Sequence, residues 1–131
     1  MNNSKKAIHY YDLSRRQIEE KLKKDPEDSR LYSSLGICYA GLNQKEKAIQ
    51  SGKKAVEILP IEKEAWKGYL RLMELAQIYV MTEEYELALE QLEILLSHPG
   101  ELSVNRLQND FKWKPLWELD EFDKLIRKYS D

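Results

Sequence analysis

Pro26 and Pro60 stand 34 residues apart, and the interval between them reads as helix, turn, helix, stop. A helical hairpin of this length cannot bury its apolar side alone, so it requires a similar unit stacked against it. The punctuation is local. Pro26 disfavours helical geometry at Asp25, and Asp28 or Ser29 can cap a helix running to Gly41. "GLNQ" turns the chain, and a further helix covers about Gln44 to Leu59 before Pro60. Counting Ser29 as position 1, Tyr32, Leu35, Gly36 and Tyr39 fall at positions 4, 7, 8 and 11. Ala48, Ala55 and Pro60 fall at 20, 27 and 32. Glycine inside a helix costs ~1 kcal/mol relative to alanine, so Gly36 is expected where two helices approach closely.

A second copy follows in "LMELAQIYVMTEEYELALEQLEILLSHPG", where Leu72, Leu75, Ala76, Tyr79 and Ala88 take positions 4, 7, 8, 11 and 20. Gly36 to Ala76 is 40 residues, six more than the first period. The extra residues lie in "EKEAWKGYLRL", read as an elongated first helix from about Lys63 to Val80. That helix also brings Trp66 and Tyr69, the expected fillers of the space above Gly52 at position 24. Ahead of the first hairpin, Ile8, Tyr11, Ile18 and Leu22 share one helical face, as in the second half of a repeat whose first half is missing. Ile8, Tyr11 and Leu13 are therefore the candidate surface for self-association or for an upstream domain. Beyond Pro99, Ser103 can cap a short helix, Trp113, Pro115 and Leu116 form an apolar elbow, and Asp120 with Asp123 reads as a capping box. Phe122, Leu125, Ile126 and Tyr129 then line one side of a last helix.

These offsets resemble the tetratricopeptide repeat. The fold expected is all-α: a short α-α superhelix with C-terminal capping helices. It divides into a lone half-repeat helix (1–25), a full repeat (26–60), an elongated repeat (61–100) and a cap (101–131). The resemblance implies that the first helix of each hairpin lines a groove, through Arg30, Ser33, Ile37 and Ala40 and then Leu70, Met73, Gln77 and Val80. Some members of that family hold a partner's C-terminal carboxylate with lysine and asparagine at such positions. Neither occurs there in this chain, so the apolar groove better suits an amphipathic helix of a protein partner, or equally the chain's own C-terminal tail, whose other expected place is over the last hairpin helix. A narrower likeness, to the C-terminal repeat region of bacterial signalling proteins with adenylate cyclase, protein kinase or TolB-like domains, runs from about Ser14 to Tyr129. It is carried by "LGICYA", "GKKAVEILP", "LAQIYV", "YELALEQLEILL" and "WKPLW". That family's tail usually reads Asp-Pro-x-Trp-Asp-Pro-Leu-Arg; here Phe111, Lys114 and Trp117 replace a proline, an acid and a basic residue.

Composition narrows the function. The net charge of −2 offers no overall basic field for nucleic acid or anionic lipid, and no apolar stretch approaches membrane-spanning length. The charge is uneven, +4 over residues 1–67 and −6 over residues 68–131. That asymmetry suits either solvated helix faces or end-to-end contact. Cys38, the single cysteine, cannot make an internal disulfide, which points to a reducing, cytoplasmic setting. It sits mid-helix beside Ile37 and Tyr39, where a small hydrophobe is expected rather than a nucleophile. His9 and His98 lie in separate segments with no metal-like spacing, and no glycine-rich loop signals a nucleotide. The expectation is a protein-binding scaffold without catalysis, cofactor or metal. A regulatory module of a larger signalling protein and a structural oligomerisation unit are the alternatives.

Overall fold

Asp28 supplies the first cap: its carboxylate accepts from the backbone N–H groups of Arg30 and Leu31, and the helix α2 (Ser29–Gly41) starts there. The computed structural model describes residues 2–130; residues 1 and 131, the outer ends of the half-repeat and cap assignments, lie outside it. Ahead of α2 runs α1 (Asn2–Lys24), and after it come α3 (Lys45–Ile58), α4 (Ala65–Met81) and α5 (Tyr85–Leu96). The tail forms α6 (Val104–Asn109), a 3-10 turn (Phe111–Leu116) and α7 (Asp120–Lys128). Among the described residues every regular element is helical.

The two hairpins, α2–α3 and α4–α5, share one turn. Asn43 and Glu83, 40 residues apart, both take left-handed backbone, with φ of 61° and 63°. The flanking hydrogen bonds repeat in the same register. Gln44 N–H donates to the Tyr39 carbonyl at 2.9 Å and Glu84 N–H to the Tyr79 carbonyl at 2.8 Å. Ala48 and Ala88 then donate to the Gln44 and Glu84 carbonyls, each at 3.0 Å. The insertion is placed as the sequence suggests. α4 has 17 residues against 13 in α2, and the added turn lies at its N-terminal end, capped by Glu64.

Gly36 and Gly52 mark the closest packing. A Cβ on Gly36 would sit 2.6 Å from Ile78 Cδ1, 3.0 Å from the Ala48 carbonyl oxygen and 3.2 Å from the Gly52 nitrogen. A Cβ on Gly52 would meet Ile78 Cδ1 at 2.8 Å and Leu75 Cδ1 at 3.0 Å. The space above Gly52 is thus filled by Ile78 and Leu75, a correction to the expectation of Trp66 or Tyr69. Those two sit earlier on α4, in the turn that the insertion carries past the hairpin. Trp66 is 53% exposed there, and Tyr69 is buried elsewhere, its hydroxyl accepting from Leu102 N–H at 3.0 Å.

α4 packs against both α2 and α3, and the tail repeats that relation one step on. Its 3-10 turn lies against α4, and α7 lies against α5. Leu102, Leu107, Trp113, Leu116, Phe122, Leu125 and Ile126 are buried in one cluster with Tyr69, Leu72, Tyr79, Leu92 and Leu95. Ser103 caps α6 as expected, accepting from Arg106 N–H at 3.1 Å. The expected capping box at Asp120 does not form: Leu119 is the N-cap and Asp120 is already helical. Asp120, Glu121 and Asp123 instead place negative charge on the first turn, where the helix dipole favours it.

Two stability outcomes are expected. Glutamate in left-handed backbone costs about 1–2 kcal/mol, and asparagine tolerates it. Glu83→Asn should therefore raise stability by up to about 1 kcal/mol in denaturant melts. Trp113→Ala should cost ~3–5 kcal/mol, whereas Phe111→Ala, at a ring 74% exposed, should stay within about 0.5 kcal/mol.

Candidate functional site

The expected groove residues do not share one environment. On α2, Arg30 is exposed, Ile37 and Ala40 are half-buried, and Ser33 is fully buried. On α4, Leu70, Met73 and Gln77 are half-buried and Val80 is buried. Ser33 and Val80 thus present no surface, which corrects their assignment to a partner groove. Val80 belongs to the cluster that the tail completes, together with Trp113 and Leu116. The Ser33 hydroxyl is fully buried and has no hydrogen-bond partner among the described residues. Ala40 opens onto a hollow of about 210 Å³ between the two hairpin turns, shared with Asn43, Lys45, Met81 and Thr82.

On α1, Ile8 and Leu13 are exposed, at 53% and 46%. Tyr11 is not free surface: its ring covers Gly41 so closely that a Cβ there would lie 2.4 Å from it. Tyr10, 68% exposed, is the aromatic available in its place. Tyr10 lies off the apolar stripe of α1, so helical periodicity does not single it out. Gly41 closes α2, and Ser4 to Tyr10 are all exposed. Residues 4–10 thus make up about two turns of α1 that the rest of the fold leaves exposed.

Charged side chains fill the angle between α1 and the first turn. Arg15 donates to Asp12 at 2.8 Å and to both oxygens of Glu19 at 3.1 Å. Tyr39 donates its hydroxyl to Glu19 at 2.7 Å, and Lys47 stands 5.6 Å from the Tyr39 ring centre. The Tyr39 hydrogen bond, and then Arg15, hold the Glu19 carboxyl below its ordinary value of 4.5. Arg15 likewise lowers the Asp12 carboxyl. Burial, then the Glu19 carboxylate, raises the Tyr39 phenol. The groups border a hollow of about 470 Å³, yet Asp12, Arg15, Glu19 and Tyr39 all satisfy one another. The network is a tether between α1 and the hairpin.

At the other end, a cleft of about 440 Å³ runs between α5 and α7, with Glu86, Glu90, Glu93 and Glu121 on its walls and Leu89 and Leu125 within. Glu93 accepts from Lys128 at 2.7 Å and from the Tyr129 hydroxyl at 2.9 Å. No single-helix pattern reveals this cleft, because its acids come from two elements. In the tail, exposed Phe111 and Lys114 meet half-buried Trp117. The Phe111 and Trp117 ring centres are 6.0 Å apart, and Lys114 lies 5.7 Å from the Phe111 ring.

Cys38 is buried, and burial pushes its thiol up from 9.0, away from the reactive thiolate. Among the described residues no group of three or more His, Cys, Asp or Glu side chains could hold a metal ion, and no helix is long and apolar enough to cross a membrane. No family model, curated protein or solved structure matches this chain.

The α1 tether gives a pH dependence of fixed sign. Lowered carboxyl values mean that its stabilisation is fully present above the ordinary values of 4.5 for Glu19 and 3.8 for Asp12. It is lost as pH falls through the lowered, folded-state values. Protection of the α1 amides, measured against the intrinsic exchange rate at each pH, should therefore fall on acidification before that of α4. Glu19→Gln should remove most of this acid response while raising exchange at neutral pH.

Proposed function

We propose that this chain is a protein-binding module of the tetratricopeptide type, taking an amphipathic helix of a partner against the first helices of its two hairpins. The reading is carried by the recurrence of one turn geometry at Asn43 and Glu83, which makes α2 and α4 equivalent first helices. These helices pack side by side. Along them Ile37, Ala40, Leu70 and Met73 remain partly open, with Arg30 and Gln77 as polar marks. An apolar row of this kind suits the i, i+3, i+7 anchors of a docked helix. Cys38 is buried on α2 with its thiol pushed up by that burial, the setting of a core side chain. A free thiol also suits the reducing cytoplasm.

The test is direct. Amphipathic helical peptides selected by display against the whole chain should shift the NMR signals of Ile37, Ala40, Leu70 and Met73. Ile37→Glu and Met73→Glu should each weaken that binding by roughly tenfold or more, with the helical circular dichroism unchanged. Peptides that shift only residues elsewhere, or bind both variants as well as the parent, would refute the groove.

A further inference from the structure

α1 has a second face, turned away from α2. At 3.6 residues per turn, Tyr11, Ile18 and Leu22 face the hairpin, and Lys6, Tyr10, Leu13, Gln17, Lys21 and Lys24 form an outer stripe about a third of a turn round from it. All six are exposed. The ion pairs of α1 are made by Arg15, Arg16 and Lys23, so the three lysines of the stripe are unpaired among the described residues. Two apolar side chains one turn apart are thus bracketed by free cations on a helix whose first turns the rest of the fold leaves exposed.

The α5–α7 cleft has the inverse character. Glu86 and Glu90, one turn apart on its wall, have no ion-pair partner among the described residues. The two lysines that also line it are engaged, Lys128 with Glu93 and Lys124 with Glu121. Leu89, half-buried, supplies apolar surface between the acids, over the buried Leu125 at the floor. The two surfaces sit at opposite ends of the helix stack, since α1 packs on α2 and α7 on α5. The charge of the chain divides the same way, +4 before residue 68 and −6 from there on.

We infer that the outer stripe of α1 docks into the α5–α7 cleft of a second copy of this chain. Tyr10 and Leu13 meet Leu89, and Lys6, a turn before Tyr10, faces Glu86 and Glu90. Lys21 and Lys24 add long-range attraction toward the acidic end. Donor and acceptor are different surfaces, so the contact is head-to-tail and adds copies in a row unless the rotation closes a ring. This contact leaves the α2–α4 groove uncovered and stands independently of its proposed role.

Sedimentation equilibrium of the full chain tests it. Association should weaken at least about tenfold between roughly 50 mM and 500 mM salt, because the attracting charges are exposed. The charge reversals Lys6→Glu with Lys21→Glu, and Glu86→Lys with Glu90→Lys, should each give a monomer with unchanged circular dichroism. An equimolar mixture of the two variants should associate again, since each supplies the surface that the other has lost. A parent chain that is monomeric at every concentration would overturn the inference, as would association indifferent to salt. Loss in the α1 variant alone would assign the contact to a symmetric α1–α1 pair instead. A mixture that stays monomeric would likewise refute it.

Discussion

Three helices meet at Gly36. The missing side chain lets the backbone of α2 come against that of α3, within reach of the Ala48 carbonyl and the Gly52 nitrogen. Ile78 of α4 closes the same point from above. Because two of the three neighbours are backbone, no rotamer change can make room, and a methyl group there would have to push the hairpin apart. The distance set at Gly36 fixes how deeply α4 settles between α2 and α3. It thereby fixes the direction in which α5 and the tail continue. At Gly52 the neighbours are ends of flexible side chains, so that contact is the softer of the two.

A stack of hairpins has two ends, and both are closed by the same chemistry. Glu19 on α1 is held by a tyrosine hydroxyl and a guanidinium, and Glu93 on α5 by a tyrosine hydroxyl and an ammonium. In each case one carboxylate binds a terminal helix to the repeat it covers. The apolar contribution differs sharply between the ends. The tail buries seven large side chains, whereas α1 leaves Ile8 and Leu13 open and half-buries Tyr11, Ile18 and Leu22. The C-terminal end is closed by burial with a polar latch, and the N-terminal end depends on the latch much more.

The repeat was legible in the sequence because its signals are local. Gly36 and Ala76, Tyr39 and Tyr79, Ala48 and Ala88 stand at one offset, and the turn geometry keeps it. The lengthened α4 was legible from the same count. What escaped were facts about distance between elements. Trp66 looked like the partner of Gly52, but the insertion moves it off the hairpin, and Ile78, an ordinary core position, does the filling. Tyr11 sits on an apolar stripe like any candidate for open surface, and only the position of Gly41 shows it covered. Ser33 and Val80 followed from position numbers alone, which say nothing about how far a neighbouring segment reaches. The acidic cleft combines α5 with α7, about thirty residues further along the chain, and no periodicity connects them.

The late arrival of the tail in the chain has a consequence for synthesis. Leu92, Leu95, Tyr69 and Tyr79 are in place once α5 is made, but their covering residues, from Leu102 to Ile126, follow afterwards. At the usual 5–20 residues per second, the nascent second hairpin waits on the order of seconds with its apolar side bare. During that time the first hairpin can fold and offer α4 a surface on one side only. The longer the ribosome takes over the codons for residues 97–126, the longer that apolar side stays open to contacts other than its own tail.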